Sequence, residues 1–465
     1  IAMPDGEDVW QIRIDAVSGR EIDRNNWVVS CHFEPECPKL NTNIAEASAG
    51  AKENILDAPA PPSFNGDYNI FPLPIESPLY GNRSLKSGSE IINSTASPHG
   101  WHDTDGNAAS IEYDYTRGNN VYAYYAPTGT ANNPTATPIV RSSPGNVYVS
   151  GIVPQPAGSS LNFNYSNNLN SANGTDFIED AVTNLFAWNN ICHDVFFLYG
   201  FNEAAGNFQQ TNHSGSGLGD DYVLARAQDG SGLNNARFFT PPESVSVSDR
   251  NPIMRMFLWD SDLPNSVKDG DFDNLIITHE YGHGVSIRLV GGAANNSCLT
   301  NFEQGGEGWS DYFGLMFTMA DLNGNGTIDA NMPGEGIRSI GTYVTDQGSY
   351  GPGIRPAYYT NNMNCQSTYC NDFSYGDVAS LAAPHGVGFL WCTMLWDMTL
   401  ELISAYGYEP DIYNVSSTAG NIRAMKIVVE ALKMTACQPS FIDMRDAGIA
   451  ANTSLLGGSD NKLLW

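Results

Sequence analysis

Apolar and polar residues alternate near the start of the chain, as in β-strands. The alternation predicts a hairpin over 8–22, with Trp10, Ile12 and Ile14 on one face of its first strand. Over 68–170, short apolar runs alternate with clusters of Gly, Pro and Asn. This pattern is typical of a β-rich region.

Helical spacing dominates the second half of the chain. Residues 177–199 place apolar side chains mostly three and four positions apart, and Gly200 follows as a terminator. Further helices are predicted over 275–288, 308–319, 386–405 and 418–434. Because β-rich sequence precedes helical sequence, we expect an α+β fold with two lobes and a cleft between them.

A segment without periodicity separates the hairpin from the rest. Residues 34–66 are rich in Pro and Ala and show no sustained apolar spacing, so we interpret them as an exposed linker. The predicted organisation is an N-terminal piece over 1–33, this linker, a β-rich lobe with one long helix over 67–270, and a helical lobe over 271–465.

The charge balance narrows the classes of function. The 465 residues include 22 Lys and Arg against 51 Asp and Glu, a net charge of −29. Such an excess of acid repels phosphate backbones and anionic lipid, which argues against nucleic-acid and membrane partners. No apolar run approaches the ~20 residues that span a bilayer. A surface rich in Asn, Ser, Thr and Gly suits an exported protein, which we expect to be a monomer.

Eight cysteines are too sparse for a disulfide scaffold. We expect one to three disulfides. The closest pairs in sequence are Cys31 with Cys37 and Cys365 with Cys370. Alternatively, several cysteines are free buried thiols, as expected for Cys192 and Cys392 in apolar helical stretches.

The sequence His279-Glu280-Tyr281-Gly282-His283 carries the main chemical signal. On a helix, residues four apart lie on one face, so both imidazoles can bind one zinc ion while Glu280 serves as a general base. The alternative, two surface histidines on a helix, is less favoured because the chain contains only 8 His.

A catalytic zinc site needs a third protein ligand. Position 289 is Leu289, which excludes the extended motif with a third His there, so a Glu on a following helix is the other option. Glu307 fits, and Asp311, four residues on, could accept the outer N–H of a zinc-bound histidine. The alternative for Glu307 is an ordinary carboxylate in a first helical turn.

These motifs occur with others in the order of a known family. The matching blocks are HEYGHG at 279–284, GGEGWSD at 305–311, TNLFAWNNICHD at 183–194, AQDGSGLNNARFFTPP at 227–242 and RDAG at 445–448. Over nearly its full length the chain resembles the fungalysins, secreted zinc metalloendopeptidases related to thermolysin. The resemblance implies a two-lobed thermolysin-like fold with zinc in the cleft, bound by His279, His283 and Glu307, with Glu280 as base.

The resemblance also implies roles that spacing does not reveal. In the block PHGVGFLW, His385 would stabilise the oxyanion, although a residue after Pro is more often simply the start of a helix. Asn235 and Ala236 would lie on the edge strand that hydrogen-bonds a peptide, and Arg355 would meet a substrate carbonyl. The family's second oxyanion donor, usually a Tyr, is not placed among the 22 tyrosines.

The resemblance extends to both ends. Residues 9–22 are similar to the last strands of the family's propeptide, and 66–78 to the start of its mature enzyme. This implies a zymogen with 1–33 as a propeptide remnant, cleaved in or just after the linker, and a shortened C-terminus.

A second metal is an open question. Residues 321–329 have the oxygen-bearing side chains expected in the first nine positions of a calcium loop. The twelfth position of that loop is Met332 in place of Glu. The candidate ligands are Asp321, Asn323, Asn325 and Asp329. An Asn/Gly turn is an equally good interpretation.

The combined prediction is a secreted zinc endopeptidase acting on proteins or peptides. Two rivals remain. A zinc aminopeptidase would share the motif, but the chain has no G-x-M-E-N segment to capture a free amine. A non-catalytic binding or adhesion protein would have no reason to keep Glu280, which is not a metal ligand.

Overall fold

The computed structural model describes residues 66–106, 112–127, 161–171, 173–260, 267–349, 351–362 and 370–464. It also describes the backbone of short strands at 10–14, 21–26, 28–30, 110–111, 137–138 and 155–156.

The strands are mostly short and lie in the first 270 residues. In chain order they are β1 (Trp10–Ile14), β2 (Glu21–Asn26), β3 (Val28–Ser30), β4 (Asp67–Ile70), β5 (Ser84–Ser87), β6 (Ser110–Ile111), β7 (Val121–Tyr125), β8 (Thr137–Pro138), β9 (Gln155–Pro156), β10 (Asn162–Phe163), β11 (Val223–Ala227), β12 (Ala236–Phe239), β13 (Ile253–Met256), β14 (Leu258–Trp259) and β15 (Lys268–Asp269).

The α-helices are α1 (Gly88–Ile91), α2 (Ile178–Leu198), α3 (Asn274–Leu289), α4 (Gly306–Phe317), α5 (His385–Tyr406), α6 (Gly420–Met434) and α7 (Phe441–Leu456). Short 3₁₀ helices occupy Gly174–Phe177, Glu203–Ala205, Val247–Asp249, Gly270–Phe272 and Tyr375–Ser380.

The principal sheet has six strands in the order β3-β12-β13-β11-β7-β8. β11 runs parallel to β7 and β13, whereas β12 is antiparallel to β13 and to β3. Helices α2 and α3 pack against this sheet, and α3, α4, α5 and α6 pack in succession on one another. The structure is therefore mixed α/β, compatible with the α+β prediction.

Two glycines bring α5 against α4. A Cβ on Gly308 would lie 2.4 Å from the carbonyl oxygen of Gly388, and a Cβ on Gly388 would lie 2.4 Å from Glu307 Cβ. Real Cβ atoms do not approach so closely, so larger residues at either position would force the helices apart. The position of Glu307 therefore depends on this close packing.

The predicted helices are present within two residues at each end, and the predicted hairpin forms from antiparallel β1 and β2. The sequence reasoning missed α7. α5 is long and apolar enough to cross a membrane, but 83% of its apolar window is buried, as in core helices. Because core helices meet the same criteria, this is weak evidence for a membrane span within the described residues.

The structure shows a disulfide that sequence proximity did not indicate, and neither of the two close pairs is tested by the described residues. Cys298 bonds to Cys437, which lies 139 residues away in the chain. Cys370 is also disulfide-bonded, whereas the other members of the two predicted pairs lie outside the described residues. Cys192 and Cys392 are buried free thiols, as the alternative interpretation proposed.

Candidate metal centre

Helix α3 carries both histidines of the motif on one face. The Asp273 side chain accepts a hydrogen bond from the Ile276 backbone N–H and so caps the helix two turns before the motif. The rings of His279 and His283 are perpendicular, with centroids 4.7 Å apart, and both are buried. The helical repeat thus produces the predicted pair of imidazoles.

Glu307, in the first turn of α4, meets these imidazoles. Its Oε2 lies 3.4 Å from His279 Nε2, and its Oε1 lies 3.6 Å from His283 Nε2. Ligand atoms from the three residues all fall within 4.8 Å of one another, the one such group of three found in the described part of the chain.

Two buried atoms of this group lack hydrogen bonds. His283 Nε2 and Glu307 Oε1 have no hydrogen-bond partner, although buried polar atoms normally have one. Burial lowers the pKa of His283 to about 3, so its imidazole is neutral and able to donate a lone pair. Two imidazoles and one carboxylate are a zinc-type ligand set, and the residues therefore fit the metal.

Asp311 fixes the orientation of His279. Its Oδ1 accepts the Nδ1–H of His279 at 2.7 Å, which leaves Nε2 of that ring as the lone-pair donor. Arg355 donates Nε to Asp311 Oδ2 at 2.6 Å and Nη2 to Oδ1 at 2.8 Å, while Tyr359 donates its hydroxyl to Oδ2. Burial alone would raise the pKa of Asp311, but Arg355 and His279 lower it below the ordinary value.

The two predicted catalytic residues lie on α3 and at the start of α5. Glu280 is completely buried and follows His279 on α3. His385 is the first residue of α5, and its Nε2 lies 3.4 Å from Glu307 Oε1. Burial lowers the pKa of His385. His385 is thus both a helix-terminal residue and a neighbour of the cluster.

A pocket opens beside His279 and contains two of the residues predicted to bind substrate. It measures about 240 Å³ with its open side included. Its lining consists of Ala236, Trp259, Ile276, His279, Ile340, Ile354 and Arg355. Arg355 also places Nη2 3.1 Å from Glu307 Oε2, so one guanidinium connects Glu307, Asp311 and the pocket. Asn235 lies next to the pocket, where its Oδ1 accepts the N–H of Ala236 at 2.9 Å.

A family model described as fungalysin metallopeptidase (M36) matches residues 67–465. The chain belongs to the fungalysin family. Extracellular metalloproteinase 2 of Arthroderma gypseum is 34% identical over 413 residues, which are 88% of this chain and 57% of that protein. Extracellular metalloproteinase mep of Aspergillus fumigatus is 33% identical over 405 residues, 86% of this chain and 56% of that protein. This fungalysin chain therefore spans a little over half the length of these relatives.

The candidate calcium loop of the fungalysin chain is organised around two carboxylates. Asp321 accepts backbone N–H groups from Gly324 at 2.7 Å and Gly326 at 2.6 Å. Glu335, which the motif comparison did not include, accepts the N–H of Leu322 at 2.9 Å and that of Asp329 at 2.7 Å. These bonds form a well-ordered turn, and calcium binding by Asp321, Asn323, Asn325 and Asp329 stays a prediction.

Tyr359 is a site residue that sequence reasoning missed. It is fully buried, and its backbone pairs with that of Arg338 in an isolated antiparallel bridge, which aims its hydroxyl at Asp311. A tyrosine 48 residues beyond its partner belongs to no spacing motif. Only the folded fungalysin structure brings the two together.

Proposed function

We propose that the chain is a secreted zinc-dependent endopeptidase that hydrolyses internal peptide bonds and is made as a zymogen. The observation that carries this proposal is the cluster of His279, His283 and Glu307, with two buried ligand atoms that have no hydrogen bond. Family membership and the names of the relatives support the same class of activity. The fold proposed for this activity has two thermolysin-like lobes with the cluster in the cleft between them.

His279, His283 and Glu307 would hold the zinc ion. Asp311 and Arg355 would fix the orientation of the His279 ring. When bound, zinc supplies Lewis acidity, which lowers the pKa of water and polarises a carbonyl. Glu280 takes the proton from the attacking water and delivers it to the leaving nitrogen. His385 donates a hydrogen bond from Nε2 to the carbonyl oxygen as negative charge develops on it.

The edge of the principal sheet is the proposed site of substrate binding. Without β3, strand β12 would be an edge with unpaired backbone groups, to which an extended peptide can add as a strand. Ala236 begins β12 and lines the pocket beside His279. Ile276, Ile340, Ile354 and Trp259 make this pocket apolar, so we infer that it accepts an apolar side chain next to the cleaved bond.

Strand β3 supports the zymogen proposal. Val28, Val29 and Ser30 pair antiparallel with Phe239, Phe238 and Arg237, respectively, along the edge proposed for substrate. A propeptide remnant over 1–33 would thus compete with substrate for the backbone groups of β12. Cleavage within 34–66 would release it, which makes the propeptide a partner of the enzyme.

Location and assembly are part of the proposal. The relatives are named extracellular, and a surface rich in neutral polar residues with a net charge of −29 suits an exported monomer. Nucleic-acid and anionic-membrane partners are disfavoured by the same charge.

The test combines metal analysis with hydrolysis of casein and of peptides blocked at both ends. We expect one zinc per chain. We expect the protein to cleave blocked peptides, either as it stands or once limited proteolysis has removed the N-terminal segment. Glu280→Gln should keep the zinc and lose activity by about 10³-fold or more, because the ligands remain while the proton acceptor is lost. Glu401→Gln, on the exposed side of α5, is the matched control.

Each rival makes a different prediction for this test. An aminopeptidase would cleave only peptides with free amino termini. A binding protein would cleave neither kind, and Glu280→Gln would then have no activity to remove. Full activity in Glu280→Gln would refute the mechanism.

A further inference from the structure

Helices α5, α6 and α7 surround an apolar pocket. Four residues of α5 line it, and α6 and α7 supply most of the other walls. The pocket, here called the helical pocket, measures about 510 Å³ with its open side included, against about 240 Å³ for the pocket beside His279. Pockets that bind small molecules measure about 300–1,000 Å³ and often lie between packed helices, so the helical pocket has the size and place of a ligand site.

A whole apolar stripe of α5 faces the helical pocket. The lining residues of this helix occupy positions i, i+3, i+4 and i+7, and they are Trp391, Met394, Leu395 and Met398. Apolar stripes of neighbouring helices normally interdigitate and leave few voids larger than a water molecule. On α7, Gly448 also lines the pocket, and a Cβ on Gly448 would meet no atom of the surrounding described residues within 4 Å. The walls therefore leave room for an apolar group that the fold does not supply.

The helical pocket is separate from the candidate metal centre. Trp309 of α4 lines the pocket, whereas Glu307, two residues earlier, belongs to the cluster with the two histidines. Residues two apart on an α-helix project about 200° from each other, so the two sites lie on opposite sides of α4. The peptidase reaction proposed above does not use this pocket.

The lining indicates the chemical class of an occupant. Met394, Met398 and Met444 contribute flexible side chains, which adapt to apolar ligands of different shape. Arg445 is the one charged residue among those that line the pocket, and its side chain is 35% exposed, which places it where the pocket meets solvent. Its Nη2 donates to Asp446 Oδ1 at 2.6 Å, and the Asp446 side chain is 58% exposed. Exposed ion pairs contribute little, so a second carboxylate can share this guanidinium at small cost.

We propose that the helical pocket binds an aliphatic carboxylate of the size of a medium-chain fatty acid. The alkyl chain lies along the apolar stripe of α5 and displaces water from it, and the carboxylate pairs with Arg445 at the open side. Each CH₂ group that enters the pocket should tighten binding by about fourfold. This inference goes beyond the proposed peptidase function and does not depend on it.

The test is calorimetric titration of the zinc-loaded full chain with hexanoate, octanoate and decanoate, each below the concentration at which it forms micelles. We expect one site per chain and a Kd that falls about tenfold or more for each two CH₂ groups until the pocket is filled. Decyltrimethylammonium has a tail of the same length as decanoate and the opposite charge. The net charge of −29 attracts this cation to the protein surface, so tighter binding of decanoate, by about tenfold or more, would identify a local positive charge.

Variants assign the binding to the helical pocket. Gly448→Leu fills the pocket from α7 and should weaken decanoate binding by about tenfold or more, with a Tm no lower than that of the wild type. Ala431→Leu fills it from α6 and should weaken binding in the same way. Arg445→Gln should weaken decanoate by about tenfold, as loss of a charge-assisted hydrogen bond implies, and should leave decyltrimethylammonium no weaker. Ala450→Leu, on the exposed side of α7, is the matched control and should bind decanoate like the wild type.

Several results would overturn this inference. Wild-type protein that does not bind decanoate, or that binds decyltrimethylammonium as tightly, has no carboxylate site of this kind. Decanoate binding that is unchanged in a folded Gly448→Leu or Ala431→Leu protein lies elsewhere, and thermal melts show whether each variant is folded. Cleavage of blocked peptides is measured separately in Gly448→Leu and should be retained, so failure of the ligand site and failure of the peptidase proposal are distinguishable.

Discussion

Replacing Asp311 by Asn is the most direct test of the structure around the candidate metal centre. The two side chains have nearly the same shape, so packing is preserved while the negative charge is removed. In the wild-type protein the carboxylate accepts His279 Nδ1–H, two Arg355 donors and the Tyr359 hydroxyl. Within the described part of the chain, the substitution leaves Glu307 as the one carboxylate paired with the buried Arg355.

Two effects of this variant can be estimated, the loss of stability and the loss of zinc affinity. Removing one partner of a buried ion pair costs about 3–5 kcal/mol. For a cooperative unit of about 400 residues, the unfolding entropy is about 0.8 kcal/mol/K, so Tm should fall by about 4–6 °C. Loss of the acceptor for His279 Nδ1–H should weaken zinc binding by about 10–100-fold.

The assays are differential scanning calorimetry of the zinc-free protein and competition for zinc against a chelator of known affinity. Tyr359→Phe removes one of the four donors and should lower Tm and zinc affinity less than Asp311→Asn. Asp446→Asn, which alters an exposed ion pair with Arg445, is the control and should change neither. An Asp311→Asn protein with wild-type Tm and zinc affinity would refute the role assigned to this carboxylate.

Three further predictions concern other parts of the molecule. If the calcium loop binds its ion, millimolar calcium should raise Tm, and Asp321→Ala should abolish that dependence; a melting temperature indifferent to calcium identifies a simple turn. Replacing Cys298 and Cys437 by Ala should cost about 5 kcal/mol, since the bond closes a loop of 139 residues, and chemical denaturation measures this. Limited proteolysis should cut between 34 and 67 and yield a stable product that begins near Tyr68; N-terminal sequencing of a product that begins well beyond residue 80 would contradict the proposed boundary.

Periodicity predicted the long helices because their apolar spacing is strong. Helix α7 was missed because two of its buried positions, Ala447 and Ala451, are small residues among polar ones, which gives a weak apolar stripe. The motif placed His279, Glu280 and His283 correctly on one helix, since their spacing is local. The observed disulfide joins two cysteines that are distant in sequence. Sequence proximity therefore favoured other pairs.

The environment of Asp311 could be predicted only in part. A carboxylate one helical turn after Glu307 is a local relation, and the sequence therefore indicated it. Arg355 and Tyr359 lie 44 and 48 residues beyond Asp311, on irregular backbone. Their convergence depends on the path of that backbone, which no periodicity encodes. Glu335 was missed for the same reason. Its carboxylate closes the loop that begins at Asp321.

The net charge is −29, yet the interior of the protein contains several positively charged side chains. Six arginines are buried in the described part of the chain, and three of them meet a carboxylate at hydrogen-bond distance. These pairs are Arg288 with Asp221 at 2.9 Å, Arg338 with Glu76 at 2.6 Å, and Arg355 with Asp311 at 2.6 Å. Arg226 departs from this pattern, because its carboxylate partner Asp229 is 3.6 Å away and accepts no hydrogen bond from it. Since burying a cation is costly unless it is hydrogen-bonded, an arrangement that leaves Arg226 incompletely paired is destabilising by itself.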